Sequence, residues 1–191
     1  LLPGTPSTLY VSTTSAGVFK STNSGGNWNA SNTGLLPFMS AVAIDPCATS
    51  TLYGVTYLGG IYKSTNDGAN WSHVNGVSFS NTTAVAIAPG SPGVVLVGST
   101  QGIFRSTDGG TGWNRANAGI SSNAVSSLSF PFGGAPTPLY TGTAHSGIFR
   151  SADAPTTWTD ISVLDDISIS ALAFVPGSPG VLYAGTSNAA G

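Results

Sequence analysis

Glutamate is absent from the 191 residues, and lysine and arginine together number five. Charged residues make up 6% of the chain, against roughly 25% in an ordinary soluble domain. A net charge of −2 supplies no field for nucleic acid or for an anionic membrane surface. The single cysteine, Cys47, excludes an internal disulfide and a thiolate metal cluster. The two histidines, His73 and His145, stand too far apart for a metal motif, so no metal and no cofactor is expected. No apolar run approaches the roughly 20 residues of a membrane helix, and the first residues, LLPGTPSTLY, carry no basic segment leading into an apolar one.

What remains is rich in glycine, proline, serine, threonine and asparagine, with 26 Gly and 12 Pro. This composition disfavours helix and favours strands joined by turns. A polar surface so poor in charge is the composition of secreted bacterial proteins, and an extracellular or cell-surface location is expected.

The chain repeats. GVFKSTNSGGNW (17–28), GIYKSTNDGANW (60–71), GIFRSTDGGTGW (102–113) and GIFRSADAPTTW (147–158) are near copies, and all four tryptophans of the protein end one of them, at spacings of 43, 42 and 45 residues. A second ladder, STLYVST to GVLYAGT, aligns Leu9, Leu52, Leu96, Leu139 and Leu182. A third runs AVAIDP, AVAIAP, SSLSFP, ALAFVP. Each unit reads as four strands: A (AVAI), B (LYAGT), C (GIFRS) and D, beginning at the tryptophan. Proline and glycine collect between them. Four short antiparallel strands per unit of about 43 residues describe a β-propeller blade. The predicted fold is all-β, a single β-propeller over 1–191, with repeats at about 1–40, 41–83, 84–124 and 125–170 and a partial repeat over 171–191.

Within the C–D turn the recurring residues are Ser21, Asn23, Gly25 and Trp28; Ser64, Asn66, Gly68 and Trp71; Ser106, Asp108, Gly110 and Trp113; and Ser151, Asp153 and Trp158, where Pro155 replaces the glycine. A serine hydroxyl and an Asp or Asn oxygen can accept the turn amides a hairpin leaves unpaired. Glycine permits positive φ, and tryptophan offers a large apolar face. Two of four copies use Asn, an exchange a catalytic carboxylate or a metal ligand would not tolerate. The segments resemble Asp-box repeats, also called bacterial neuraminidase repeats, S-x-D-x-G-x-x-W. The resemblance covers essentially the whole chain. It implies a propeller scaffold shared by sialidases, xyloglucan-cleaving glycosidases, sortilin-type receptors and photosystem II assembly factors, and so does not fix a function.

The residues outside the scaffold decide against catalysis. Lys20, Lys63, Arg105 and Arg150 share one repeat position and read as structural. A sialidase would need an arginine cluster and a glutamate-supported tyrosine, and a xyloglucanase would need aspartates in the B–C loops. Those loops, TTSAG, TYLGG, STQG and TAHSG, hold none. Asp165 and Asp166 are adjacent, which suits no carboxylate pair across a sugar ring. The chain is read as not an enzyme.

The B–C loops and D–A connections should share one face, where Phe38, Met39, Tyr57, Leu58, Phe79, Gln101, Asn123, His145, Asp165 and Asp166 fall. Tyr57, Gln101, His145, Asp165 and Asp166 are the candidate ligand contacts, for carbohydrate or peptide. A competing reading makes Phe38, Met39 and Phe79 part of the core. Counting four A strands and five B strands, the chain is expected to be a fragment of a larger propeller, to pair its open edges with another chain, or to close as four blades. Two alternatives accompany the binding module: a piece of a glycoside hydrolase whose catalytic residues lie elsewhere, and a structural assembly subunit.

Overall fold

The computed structural model describes residues 7–74, 79–121, 124–131, 138–152, 156–162, 167–175 and 178–187. Among them every regular element is a strand, and the strands form five antiparallel sheets in chain order. The first holds β1 (Leu9–Thr13), β2 (Gly17–Ser21) and β3 (Asn29–Ala30). The second holds β4 (Met39–Ile44), β5 (Leu52–Thr56), β6 (Ile61–Ser64) and β7 (Ser72–His73). The third is β8 (Thr82–Ile87), β9 (Val95–Ser99), β10 (Gly102–Ser106) and β11 (Asn114–Arg115). The fourth is β12 (Val125–Ser129), β13 (Leu139–Thr143), β14 (Ile148–Ser151) and β15 (Thr159–Asp160), and the fifth is the pair β16 (Ile169–Val175) and β17 (Ser178–Thr186). These are β-propeller blades: three of four strands, one of three and one of two.

Packing runs from sheet to sheet along the innermost strands, the B strand β1 on the A strand β4, and then A strand on A strand, β4 on β8, β8 on β12 and β12 on β16. A neighbour on each side buries the middle strands throughout, which is why LYGVT (β5) and VLVGS (β9) are continuously buried instead of alternating. The small residues of the A strands, such as Ala41, Ala43, Ala84 and Ala86, fit between blades that approach closely. Each A strand carries a register break at the same place, after Met39, Thr82, Val125 and Ile169. In the second and third sheets the bulged residue turns a hydroxyl toward the next blade. Ser40 Oγ donates toward Val55 O (3.1 Å) and Thr82 O (2.6 Å). Thr83 Oγ1 does the same toward Gly98 O (3.2 Å) and Val125 O (2.6 Å).

One register expectation is corrected. Val95 pairs with Ser106, as Leu9 pairs with Ser21, Leu52 with Ser64 and Leu139 with Ser151. Val95 therefore takes the leucine position, and Leu96 stands in the place of Tyr10 and Tyr53. The extra valine in GVVLVGST hides this shift, because both readings put an apolar residue inward.

Candidate functional site

The three C–D turns whose residues are described share one hydrogen-bond pattern. Ser21 Oγ donates to Asn23 Oδ1 (3.0 Å) and accepts the amide of Gly25 (2.9 Å), while Asn23 Oδ1 accepts the amide of Asn27 (2.8 Å). Ser64, Asn66, Gly68 and Asn70 repeat it at 3.0, 3.0 and 2.9 Å. Ser106, Asp108, Gly110 and Gly112 do so at 2.8, 2.8 and 2.9 Å. One side-chain oxygen suffices, so Asn and Asp are equivalent here. The glycines Gly25, Gly68 and Gly110 sit at φ of 91°, 79° and 98°, a region closed to most side chains. The Gly112 amide, followed by the Ser106 hydroxyl, holds the Asp108 carboxyl below its usual pKa. Ser151 is buried, and Asp153 lies outside the described residues.

The tryptophans differ in a way the motif does not show. Trp71 is 4% exposed and Trp158 5%. Trp71 packs with Val18 and Met39, and a Cβ at Gly54 would lie 3.4 Å from its ring. Trp158 packs with Ile103 and Val125. Each indole donates to the previous blade, Trp71 Nε1 to Ser31 O (2.8 Å) and Trp158 Nε1 to Ala116 O (2.7 Å). Trp113 is half-buried and turns its Nε1 to Gly110 O in its own turn (2.9 Å). Phe79 shares its seat, edge-on at 5.8 Å, while stacking on Phe104 at 4.2 Å. Trp28 is 42% exposed.

The recurring lysines also bind blade to blade. Lys20 Nζ and Tyr10 Oη both donate to Asp67 O (3.3 and 3.0 Å), and Lys63 Nζ and Tyr53 Oη both donate to Gly109 O (3.3 and 2.9 Å). Each ammonium also lies over its tyrosine ring, at 5.4 and 5.2 Å.

On the opposite face, Tyr57, Gln101 and His145 occupy the B–C loops of successive blades, and all three are exposed. Among the described residues no hydrogen bond or ring contact joins them to one another. Gln101 is engaged locally: its Oε1 accepts the Ser80 amide (3.5 Å), and its carbonyl accepts from Arg115 (3.1 Å). Asn123, Asp165 and Asp166 lie outside the described residues. The set Phe38, Met39 and Phe79 divides. Met39 and Phe79 are buried in the core, whereas Phe38 is 49% exposed.

Phe38 and Tyr57 belong to a single patch. Leu36, Phe38, Tyr57 and Leu58 are all large, apolar and exposed, Leu58 at 71%. The Tyr57 amide donates to Phe38 O (2.9 Å) and ties the D–A connection to the B–C loop of its own blade. Phe38 holds φ at 72°, a strained backbone for an aromatic residue, and its ring is exposed where the side chain of Met39 is buried. Beneath the patch Tyr62 is buried, and burial raises its phenol pKa. Beside it lies a cavity of about 190 Å³ lined by Ser15, Ala16, Asn32, Leu35, Leu36 and Pro37. Leu36 was not singled out from sequence; the run GLLPF in a connection between blades is the signal that points to it.

No protein-family model and no curated protein matches the chain. Solved structures do. An ancestral GH74 enzyme superposes with a TM-score of 0.77 at 24% identity, over 97% of this chain and 26% of that one. The GH74 xyloglucanase from Xanthomonas campestris gives 0.71 at 20%, over 90% and 31%. YCF48 bound to D1 peptide gives 0.63 at 14%, over 97% and 64%. The likeness shows the β-propeller fold. The chain spans about a quarter to a third of the GH74 enzymes it matches.

Proposed function

We propose that this chain is a non-catalytic extracellular binding module that takes a peptide segment with an apolar side chain on the patch formed by Leu36, Phe38, Tyr57 and Leu58. The observation that carries the reading is Phe38, an exposed aromatic side chain on a strained backbone, tied to Tyr57. Loops on a rigid scaffold are where recognition residues concentrate, and contiguous exposed apolar groups mark interaction sites. The chemistry favours peptide over sugar: two leucines, Leu36 and Leu58, are exposed along with the rings. The solved structure of YCF48 with a peptide shows that one protein of this fold binds one. The xyloglucanase favours the second reading, a glycan stacked on Phe38 and Tyr57.

Arrays of peptides and of glycans probed with the chain and with Leu58→Ser decide between them. Apolar peptides that bind the chain and lose at least about tenfold in affinity with Leu58→Ser support the proposal. Binding confined to glycans, or peptide binding indifferent to position 58, defeats it.

A further inference from the structure

The second residues of the four D strands, Ala30, His73, Arg115 and Asp160, pair with Phe19, Tyr62, Phe104 and Phe149 of the adjoining C strands. The partner is aromatic in every sheet, while the residue opposite it changes from a methyl group to an imidazole, a cation and an anion. A scaffold position would repeat, as Lys20, Lys63, Arg105 and Arg150 do. Arg115 is the one lysine or arginine outside that recurring position. It is exposed yet held in place. Its guanidinium lies over the Phe104 ring at 5.6 Å and donates to Gln101 O at 3.1 Å. Among the described residues no carboxylate pairs with it. Asp160, the acid at the matching position of the fourth sheet, has its Oδ1 on the Ser162 amide (2.8 Å). A guanidinium fixed by a ring and a carbonyl has already lost much of its freedom, and its remaining N–H donors suit a carboxylate in bidentate geometry.

A chain of contacts joins this cation to the apolar patch. A Cβ at Gly59, the residue after Leu58, would lie 1.5 Å from Phe79 O, so the B–C loop of the second sheet rests on the Phe79 backbone. The Phe79 ring stacks on Phe104 at 4.2 Å, and Phe104 carries Arg115. Ser80, next in the chain, gives its amide to Gln101 Oε1 (3.5 Å). Leu58 and Arg115 therefore stand on either side of one short connection, residues 79 and 80. The two sheets that supply them have all four strands.

Resting on the reading of the patch given above, we infer that the bound peptide carries a carboxylate close to its apolar side chain, and that Arg115 takes the carboxylate while the apolar group lies against Leu58. An aspartate or glutamate side chain and a C-terminal carboxylate offer the same chemistry to the guanidinium. The apolar contact supplies the buried surface, and the ion pair supplies the selection among apolar peptides. Because Arg115 is exposed, the selection weakens as salt is added.

The test is an array of apolar peptides made in matched forms, with Asp or Glu at successive positions or with the Asn or Gln counterpart, and with a free or an amidated C-terminus. Matched pairs are then titrated calorimetrically into the intact chain, Arg115→Gln and Leu58→Ser. The expected result is that a carboxylate form binds the intact chain at least about tenfold tighter than its neutral counterpart. With Arg115→Gln the two forms bind alike, at the affinity the neutral form has for the intact chain, which a general loss of fold would not give. Loss of the preference on changing the acidic side chain assigns the carboxylate to that side chain, loss on amidation assigns it to the C-terminus, and either supports the inference. No preference, or one that survives Arg115→Gln, overturns it, while Leu58→Ser still reads the patch by itself. Acid-dependent binding that Arg115→Gln removes and Leu58→Ser leaves unchanged supports the role of the arginine and defeats the reading of the patch. A chain that binds no peptide of any form overturns both.

Discussion

Replacing each of the four tryptophans by alanine should separate residues that the sequence presents as equals. Trp71 is seated between blades, with its Nε1 on Ser31 O at 2.8 Å. Loss of a buried aromatic side chain costs about 3–5 kcal/mol through transfer and cavity terms. The abandoned Ser31 carbonyl sits on a buried residue and adds about 1 kcal/mol or more. Gly54 across the seat has no side chain to collapse into the gap, so the upper half of the range applies. For a domain of this size each kcal/mol moves Tm by about 2–4 °C, so Trp71→Ala should lower it by about 10 °C or more. Trp158→Ala should behave alike. Trp28→Ala, at 42% exposure, should cost under about 1 kcal/mol. Trp113→Ala should fall between. Urea denaturation followed by circular dichroism reads all four on one scale. Equal losses at Trp28 and Trp71 would refute the reasoning, since the motif alone would then set the energy and the seat would not matter.

Asp108→Asn should leave stability at neutral pH nearly unchanged, because Asn23 and Asn66 make the same bonds. Since the folded protein lowers the pKa of Asp108, its contribution is present above the unfolded carboxylate pKa and fades as pH falls through the folded one; acid titration of the Asn variant should show a weaker acid limb. Burial raises the phenol pKa of Tyr10 and Tyr62, so stability is lost as pH rises through and beyond the ordinary tyrosine range. Tyr62→Phe should reduce that loss in an alkaline denaturation series. Phe38→Gly should hold or raise stability by up to about 1 kcal/mol by relieving the positive φ, while abolishing ligand binding; a melt and a binding curve on the same sample check both.

The blades were legible because their signals repeat. Four tryptophans in register, with proline and glycine at fixed offsets, are a periodic constraint that noise at one copy cannot erase. The turn chemistry was legible for the same reason, down to the equivalence of Asn and Asp. What stayed hidden depends on register and on neighbours. Leu96 was placed one residue off because valine and leucine are alike to a pattern. The Ser40 and Thr83 stitches exist only because a bulge aims one hydroxyl between blades, and no composition shows a bulge. Met39 and Phe38 are adjacent and apolar, yet one is core and the other surface. Phe38 stands at a positive φ just ahead of strand β4, and a non-glycine residue gives no sign of that in the sequence. The difference between Trp28 and Trp71 lies wholly in what stands beside each.

The most direct test of the binding account is calorimetric titration of an apolar peptide selected on the array into the intact chain and into Phe38→Ala. The account predicts saturable binding with a negative heat-capacity change, the mark of buried apolar surface, and its loss in the variant. Undiminished binding by Phe38→Ala, in a chain that remains folded, would contradict it.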